Sequence, residues 1–183
     1  MKKIIFVNLF VFVLSAVVFS QTYITRNGNI SFSSHTALED VNAENNETVS
    51  VLNAATGDIE FKVAIKGFHF KKTAMEEHFN NDDYMASGKY PKAGFKGKIA
   101  NISSVNFSKD GNYNVTVSGD LTIRDVTKTV NSNGVITVKN GAVTVTSTFT
   151  VKRKEYNVVG ESFVQQKLGD DIKINVNCQY DKQ

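Results

Sequence analysis

The chain of 183 residues contains one cysteine, one proline and no tryptophan. The single thiol, Cys178, has no partner in the chain, which excludes an internal disulfide and leaves the fold dependent on its core. The thiol also lies far from the N-terminus, so it is not placed to carry a lipoprotein acyl chain. The formal net charge is only +3, without a long basic block, and we therefore expect no nucleic-acid partner.

Motifs for catalysis and metal binding are equally scarce. The three histidines are His35, His69 and His78, and no G-x-S-x-G nucleophile elbow occurs. The acidic pairs at 82–83 and 170–171 are interpreted as solvated turn residues. No spacing matches an EF-hand or a zinc site. We therefore expect no catalytic residue, no metal site and no cofactor.

The N-terminus has the pattern of a secretory signal peptide. Two lysines precede an apolar run from Ile4 to Phe19, and the small residue Ser20 follows it. The run is shorter than the ~20 residues of a spanning helix, so we expect cleavage and no stable membrane insertion; an uncleaved anchor is the alternative. The prediction is a signal peptide at 1–20, one domain at 21–183, and a periplasmic or secreted location.

The rest of the chain alternates apolar and polar residues with a period of two. From Asp58 to Lys66 the apolar positions share one face, and the same alternation recurs at 113–123, 143–151 and 172–180. Such repeated amphipathic strands predict an all-β fold, in which barrel closure would remove exposed strand edges. The alternation alone leaves a barrel and a sandwich both open.

Several short signals indicate how the strands are joined. Asn27-Gly28, Asp110-Gly111 and Asn140-Gly141 suit type I′ turns and predict three hairpins, and Gly169-Asp170 predicts a fourth reversal after a strand at 161–168. One helix is predicted to begin at Thr73, with Glu76 completing a capping box. Its Met75 and Phe79 form an apolar stripe, either part of the core or the roof of a cavity. The polar stretch 35–48 is predicted to be a surface loop.

Two segments together resemble one family. The first is TAMEEHFNNDDYMASGKYPKAGFKGKI, from Thr73 to Ile99, and the second is LTIRDVTKTV, from Leu121 to Val130. They resemble the YceI-like family, including its M-x-x-H-F pattern, its K-Y-P-x-A-x-F step and its G-x-L-T-I hairpin. Asp125 and Thr129 depart from the glycine and proline that are usual in that hairpin. The resemblance implies an extended, antiparallel, lipocalin-like β-barrel of about eight strands with one short helix near 73–80.

The resemblance also implies a function, which is binding of a lipid or polyisoprenoid without catalysis. We expect an elongated apolar ligand, such as a polyisoprenoid, a quinone-like lipid or a fatty-acid derivative, with a role in lipid transport or envelope stress protection. The predicted cavity-wall residues are Phe61, Val63, Ile65, Phe95, Ile99, Val117, Leu121, Ile123 and Phe149. The predicted headgroup contacts near the mouth are Tyr84, Tyr90 and Tyr156, whose rings combine an apolar body with a polar end.

Other interpretations remain open on the sequence alone. Lys152-Arg153-Lys154 is either a solvated face or a contact for an anionic headgroup. A ligand-free structural or interaction barrel is the first rival function, because nine phenylalanines in residues 21–183 could fill a solid core. A lipid- or sugar-directed enzyme using His78 or Asp82 is the second rival. The oligomeric state is also open, a dimer included.

Overall fold

The computed structural model describes residues 21–35, 40–160 and 169–183. In these ranges the chain forms nine β-strands and one α-helix. The strands are β1 (Thr22–His35), β2 (Asp40–Asn53), β3 (Asp58–Ala64), β4 (His69–Phe70), β5 (Lys92–Ile99), β6 (Gly111–Ile123), β7 (Val126–Lys139), β8 (Ala142–Lys152) and β9 (Asp171–Lys182). The helix α1 is Thr73–Asn80.

Eight of these strands close into an antiparallel barrel. Strands β5 to β9 pair in sequence order, β9 pairs with β1, β1 with β2, β2 with β3, and β3 with β5. The ladder therefore returns to the strand from which it starts, and the all-β barrel prediction is confirmed. The two-residue strand β4 pairs with β2 beside this circuit.

The predicted alternation holds in the strands that form the wall. On β6, odd-numbered positions such as Val115 and Leu121 face inward while the even-numbered positions from Asn112 to Asp120 are exposed, and β8 and β9 also alternate. On β3, Ile59 and Val63 are buried. The period of two thus separates an apolar interior from a polar outer surface.

The β7–β8 turn is built as predicted, because Asn140 and Gly141 have φ of 52° and 80° and join Lys139 to Ala142. The prediction at Asp110-Gly111 is wrong. Gly111 begins β6 after a connection that runs from Ala100 and contains a 3₁₀ turn at Ile102–Ser104, so no tight turn joins β5 to β6.

The predicted hairpin at Asn27-Gly28 is also wrong. Both residues lie inside β1, where the register with β2 shifts between Thr25 and Gly28, as in a β-bulge. A side chain at Gly28 would meet the Cys178 sulfur at 2.5 Å. Glycine is therefore needed here because the Cys178 side chain packs closely against the backbone of β1.

The polar stretch predicted as a loop is largely strand. Residues 40–48 belong to β2, and Asn45 and Thr48 are fully buried. The Asn45 side chain donates to the Ala64 carbonyl and accepts from the Glu47 amide and the Thr48 hydroxyl. Because these hydrogen bonds satisfy the buried polar atoms, polar residues are tolerated inside the barrel.

The helix has the predicted bounds but a different start. Lys72 is the N-cap and makes no side-chain capping bond. The Glu76 carboxylate instead accepts from the Phe70 amide at 3.2 Å and lies 3.5 Å from the His69 ring, which ties α1 to β4. The capping box is therefore wrong. The fourth predicted reversal, at Gly169-Asp170, stays a prediction because the strand at 161–168 that it would join to β9 lies outside the described residues, as does the predicted signal peptide at 1–20.

Candidate functional site, an apolar cavity in the barrel

The barrel interior is solid at one end and hollow at the other. A closed-end core surrounds Leu52, Ile99, Ile136, Val143 and Cys178, each with no exposed surface. Beyond it lies a cavity of about 710 Å³. This cavity runs between two apolar groups of side chains, one centred on Ile30, Val63 and Phe68 and the other on Leu121, Val151 and Tyr156.

Four phenylalanines form an aromatic cluster over one side of the cavity. Phe79 of α1 lies 5.5 Å from Phe32, 5.7 Å from Phe68 and 5.0 Å from Phe70, measured between ring centroids. These rings line the cavity together with Met75. Because edge and offset contacts of this kind add to apolar burial, they hold the helix against the strands, and the apolar stripe of α1 roofs the cavity.

Most of the predicted site residues surround this cavity. The structure places the following side chains on its wall: Phe61, Val63, Ile65, Phe95, Val117, Leu121, Ile123, Phe149, Tyr84 and Tyr156. They come from β3, β5, β6 and β8 and from the segments that follow β3, α1 and β8. Their contact with a ligand stays a prediction.

Two predicted residues lie elsewhere. Ile99 faces inward as expected but belongs to the closed-end core, below the level of the cavity. Tyr90 packs between two cations, with the Lys89 ammonium 5.1 Å and the Arg124 guanidinium 5.5 Å from its ring centre. Tyr90 therefore lies among charged groups and does not line the cavity.

The tight turn between β6 and β7 organises the mouth of the barrel. Arg124, with φ of 56°, and Asp125 join the pair Ile123–Val126. The Arg124 guanidinium donates to the carbonyls of Tyr84 and Asn157, each at 2.7 Å. The pKa of the Asp125 carboxyl is lowered, mainly because the backbone amide of Asp125 donates a hydrogen bond to it. The left-handed residue of this turn is Arg124, and Asp125 has no positive φ, so the position of Asp125 does not require glycine.

The basic run at 152–154 is divided between surface and interior. Arg153 is only 7% exposed and lines the cavity, whereas Lys152 and Lys154 are exposed. The Arg153 side chain donates to the carbonyls of Gly169, Val158 and Val159 at 2.7–2.9 Å. The guanidinium therefore fastens the segment after β8 over the mouth. Beside it, burial raises the pKa of the Tyr156 phenol.

Strands β7 and β8 part as they approach the mouth. Their ladder extends from Lys139–Ala142 only to Gly134–Ser147, although β7 stays paired with β6 as far as Val126 and β8 with β9 as far as Lys152. The Ser132 and Ser147 hydroxyl oxygens lie 2.7 Å apart where the ladder ends, and both lie within hydrogen-bond distance of the Asn133 carbonyl. Because each hydroxyl has one proton, one donates to this carbonyl and the other donates to its partner hydroxyl. Their hydroxyls form a polar spot on the cavity wall.

Several lining residues were not predicted from the sequence. Phe32 and Phe68 complete the aromatic cluster, and Ile172 and Ile174 of β9 also line the cavity, with Ile174 directly opposite Phe32 in the β1–β9 ladder. The alternation of β9 carried a signal for the two isoleucines. Arg153 carried none, because a basic run is usually solvated.

The part of the chain that the structure describes contains no group of three or more histidine, cysteine, aspartate or glutamate residues placed to hold a metal ion. None of its helices has the length and hydropathy required to cross a membrane.

The fold and cavity define a closed antiparallel barrel with an apolar interior site. The family model of the YceI-like domain matches residues 18–180, so the chain belongs to this family. A comparison with curated proteins gave no match.

Solved structures share the fold at low sequence identity. A polyisoprenoid binding domain from Saccharophagus degradans, implicated in plant cell wall breakdown, has a TM-score of 0.77 at 10% identity, covering 90% of this chain and all of that one. Burkholderia cenocepacia BcnA has a TM-score of 0.70 at 17% identity, covering 84% and 96%. A YCEI protein of Campylobacter jejuni has a TM-score of 0.54 at 17% identity, with both chains fully covered.

Proposed function

We propose that this protein binds an elongated apolar ligand of the polyisoprenoid, quinone-like lipid or fatty-acid class and carries it without changing it chemically. The observation that carries the proposal is the cavity, which is closed at one end and lined almost entirely by aliphatic and aromatic side chains. Membership of the YceI-like family and similarity to a polyisoprenoid binding domain support the same class of ligand.

Burial of apolar surface supplies enough free energy for such binding. At about 25 cal/mol per Å², a chain that buries about 400 Å² gains about 10 kcal/mol before the costs of ordering it. No charge pair is needed for useful affinity. Tyr84 and Tyr156 are the proposed contacts for a polar headgroup, because both side chains line the cavity and combine an apolar ring with a hydroxyl.

The proposed setting is the periplasm or the exterior of the cell, after removal of residues 1–20. The basic and then apolar pattern of these residues supports export. A carrier in this compartment would serve lipid transport or protect the envelope under stress. Comparing the mass of the exported protein with that of the full chain tests the processing step directly.

Native mass spectrometry of protein purified without detergent tests ligand binding. The mature chain would be exported, purified and analysed intact, and a parallel solvent extract would identify any bound lipid. Near-stoichiometric lipid of one class is the expected result. Protein that is empty and also ignores added isoprenyl alcohols and fatty acids would instead support a ligand-free structural barrel.

A matched pair of variants on β8 separates cavity binding from surface adsorption. Phe149 lines the cavity, whereas the next residue, Thr150, is exposed. Phe149→Gln should weaken binding by about tenfold or more, because the ligand loses apolar contact worth about 1.5–3 kcal/mol. Thr150→Gln should leave binding unchanged. Equal effects of the two variants would place the lipid outside the barrel.

A further inference from the structure

The floor of the cavity is formed by residues that also pack against the closed-end core. Phe61 and Phe95 are the largest of them, and their ring centroids are 6.2 Å apart. The floor residues are Ile59, Phe61, Phe95, Val117, Val145 and Val176. An apolar chain that enters from the mouth must stop at this layer.

The Phe95 ring lies over two glycines on the barrel wall. Gly97 of β5 and Gly119 of β6 are directly opposite each other in the ladder. A Cβ atom on Gly97 would lie 2.4 Å from Phe95 Cζ, and one on Gly119 would lie 2.7 Å from the same atom. The ring thus occupies the volume that two facing side chains would otherwise fill, an arrangement in which an aromatic ring covers glycines in a sheet.

This arrangement decides how far the ring projects into the cavity. Both distances are shorter than real Cβ contacts allow, so a methyl group at either position requires the ring or the backbone to move. The aromatic ring is rigid and the closed-end core is densely packed below it. The direction left for the ring is toward the cavity, where it would raise the floor.

Resting on the proposed function, we infer that Phe95, seated on the Gly97–Gly119 pair, determines the longest apolar chain that the cavity accepts. The two glycines act on the ligand only through the position of the ring. Truncation of Phe95 deepens the cavity, and a methyl group at Gly97 makes it shallower. The rest of the wall is unchanged in both cases.

The test uses a series of all-trans isoprenyl alcohols that grow by one isoprene unit at a time, with bound and free protein measured by native mass spectrometry. Phe95→Leu is expected to extend the longest alcohol bound by at least one unit, and Gly97→Ala to shorten it by at least one. Gly88→Ala is the control, because nothing lies within 4 Å of a Cβ at that position.

Misfolding and loss of function are kept distinct from the inferred role. A Cβ on Gly97 also approaches the Ser118 carbonyl at 2.7 Å, so Gly97→Ala is compared with the double variant Gly97→Ala/Phe95→Leu. The double variant should bind longer alcohols than Gly97→Ala does. If the wild-type protein binds the alcohols but Phe95→Leu has the same length limit, the inference is wrong and the proposed function stands. Failure of the wild-type protein to bind any alcohol overturns the proposed function and the inference with it.

Discussion

Ser50 and Tyr180 share a 2.6 Å hydrogen bond inside the closed end of the barrel, although 130 residues separate them along the chain. Ser50 belongs to β2 and Tyr180 to β9, and β1 lies between these two strands in the sheet. Both side chains are at least 98% buried. The hydroxyl pair therefore joins β2 to β9 across β1, the strand that lies between them.

We expect Tyr180→Phe to lower the free energy of unfolding by about 1–2 kcal/mol, because the buried Ser50 hydroxyl then loses its partner. Urea unfolding of wild type, Tyr180→Phe, Ser50→Ala and the double variant measures the coupling. The double variant should lose about 1 kcal/mol less than the sum of the two single losses. Strict additivity would show that the bond contributes nothing to stability.

Much of this fold could be predicted from the period of two and the turn chemistry. The bounds of α1, the β7–β8 turn and the inward faces of β3, β6, β8 and β9 follow from local patterns. Asn27-Gly28 shows the limit of such patterns. The same dipeptide suits a hairpin and a bulge, and the pairing of β1 with β2 and β9 on both sides of Gly28 shows that it is a bulge here.

The site was predictable in part for a geometric reason. Alternation identifies the face on which a strand residue lies, but not its depth along the barrel axis. Phe95 and Ile99 therefore look equivalent in the sequence, whereas one lines the cavity and the other lies in the closed-end core. Tyr90 and Arg153 lie outside regular strands, where no period constrains side-chain direction, and their positions depend on carbonyls and charges distant in sequence.

The buried thiol predicts a loss of stability at alkaline pH. Burial raises the pKa of Cys178 to about 12 from an ordinary value of 9.0. Below pH 9.0 both folded and unfolded chains keep the proton, so the thiol's contribution is fully present. Above that pH the thiol of the unfolded chain ionises first. The contribution of Cys178 to the free energy of unfolding then falls by about 1.4 kcal/mol per pH unit until the folded thiol also ionises.

Urea unfolding midpoints from about pH 8 to about pH 11 test this prediction. The difference in stability between wild type and Cys178→Ala should be constant at the lower end and narrow as pH rises, because only the wild type carries the thiol. Other titrating groups cancel in this difference. A difference that stays constant throughout would mean that the folded thiol ionises as readily as the unfolded one.

Replacement of Arg153 should destabilise the segment after β8. Arg153→Met removes the donor for the carbonyls of Gly169, Val158 and Val159, and a loss of about 3 kcal/mol is expected because three hydrogen bonds from a buried charged group disappear. Lys154→Met, at an exposed neighbouring position, should change stability by about 0.5 kcal/mol at most. Thermal unfolding compares the two variants, and similar losses would contradict an internal structural role for the guanidinium.

The exposed lysines of the basic run can be replaced without changing the buried Arg153, so recognition of an anionic headgroup can be tested separately from stability. Lys152 and Lys154 are the exposed members of the basic run, so Lys152→Gln/Lys154→Gln keeps Arg153 in place while it removes two surface charges. If a fatty-acid carboxylate contacts this run, its affinity should fall while that of an uncharged isoprenyl alcohol stays constant. Unchanged affinity for both ligands would exclude the two lysines from headgroup binding.

The parting of β7 and β8 predicts uneven hydrogen exchange along one strand. Between residues 135 and 139 the β8-facing amides of β7 lie within the ladder, whereas from 127 to 133 β7 has no ladder partner on that side. Amides without a strand partner open to exchange at a lower free energy than those in a continuous ladder. We expect the β8-facing amides of 127–133 to exchange at least tenfold faster than those of 135–139, measured by residue-resolved exchange.

The Ser132–Ser147 hydroxyl pair should mark the boundary between slowly and rapidly exchanging amides of β7, because it lies beside the Asn133 carbonyl where the β7–β8 ladder ends. Replacement of both serines with alanine removes these hydrogen bonds and should extend fast exchange to the amide of Val135, while the β6-facing amides, held by the full-length β6–β7 ladder, stay protected. Uniform protection along β7 in the wild type would show that the two strands stay joined up to the mouth. In that case the wall between them would be continuous, and an apolar chain would have access to the cavity only from the end of the barrel.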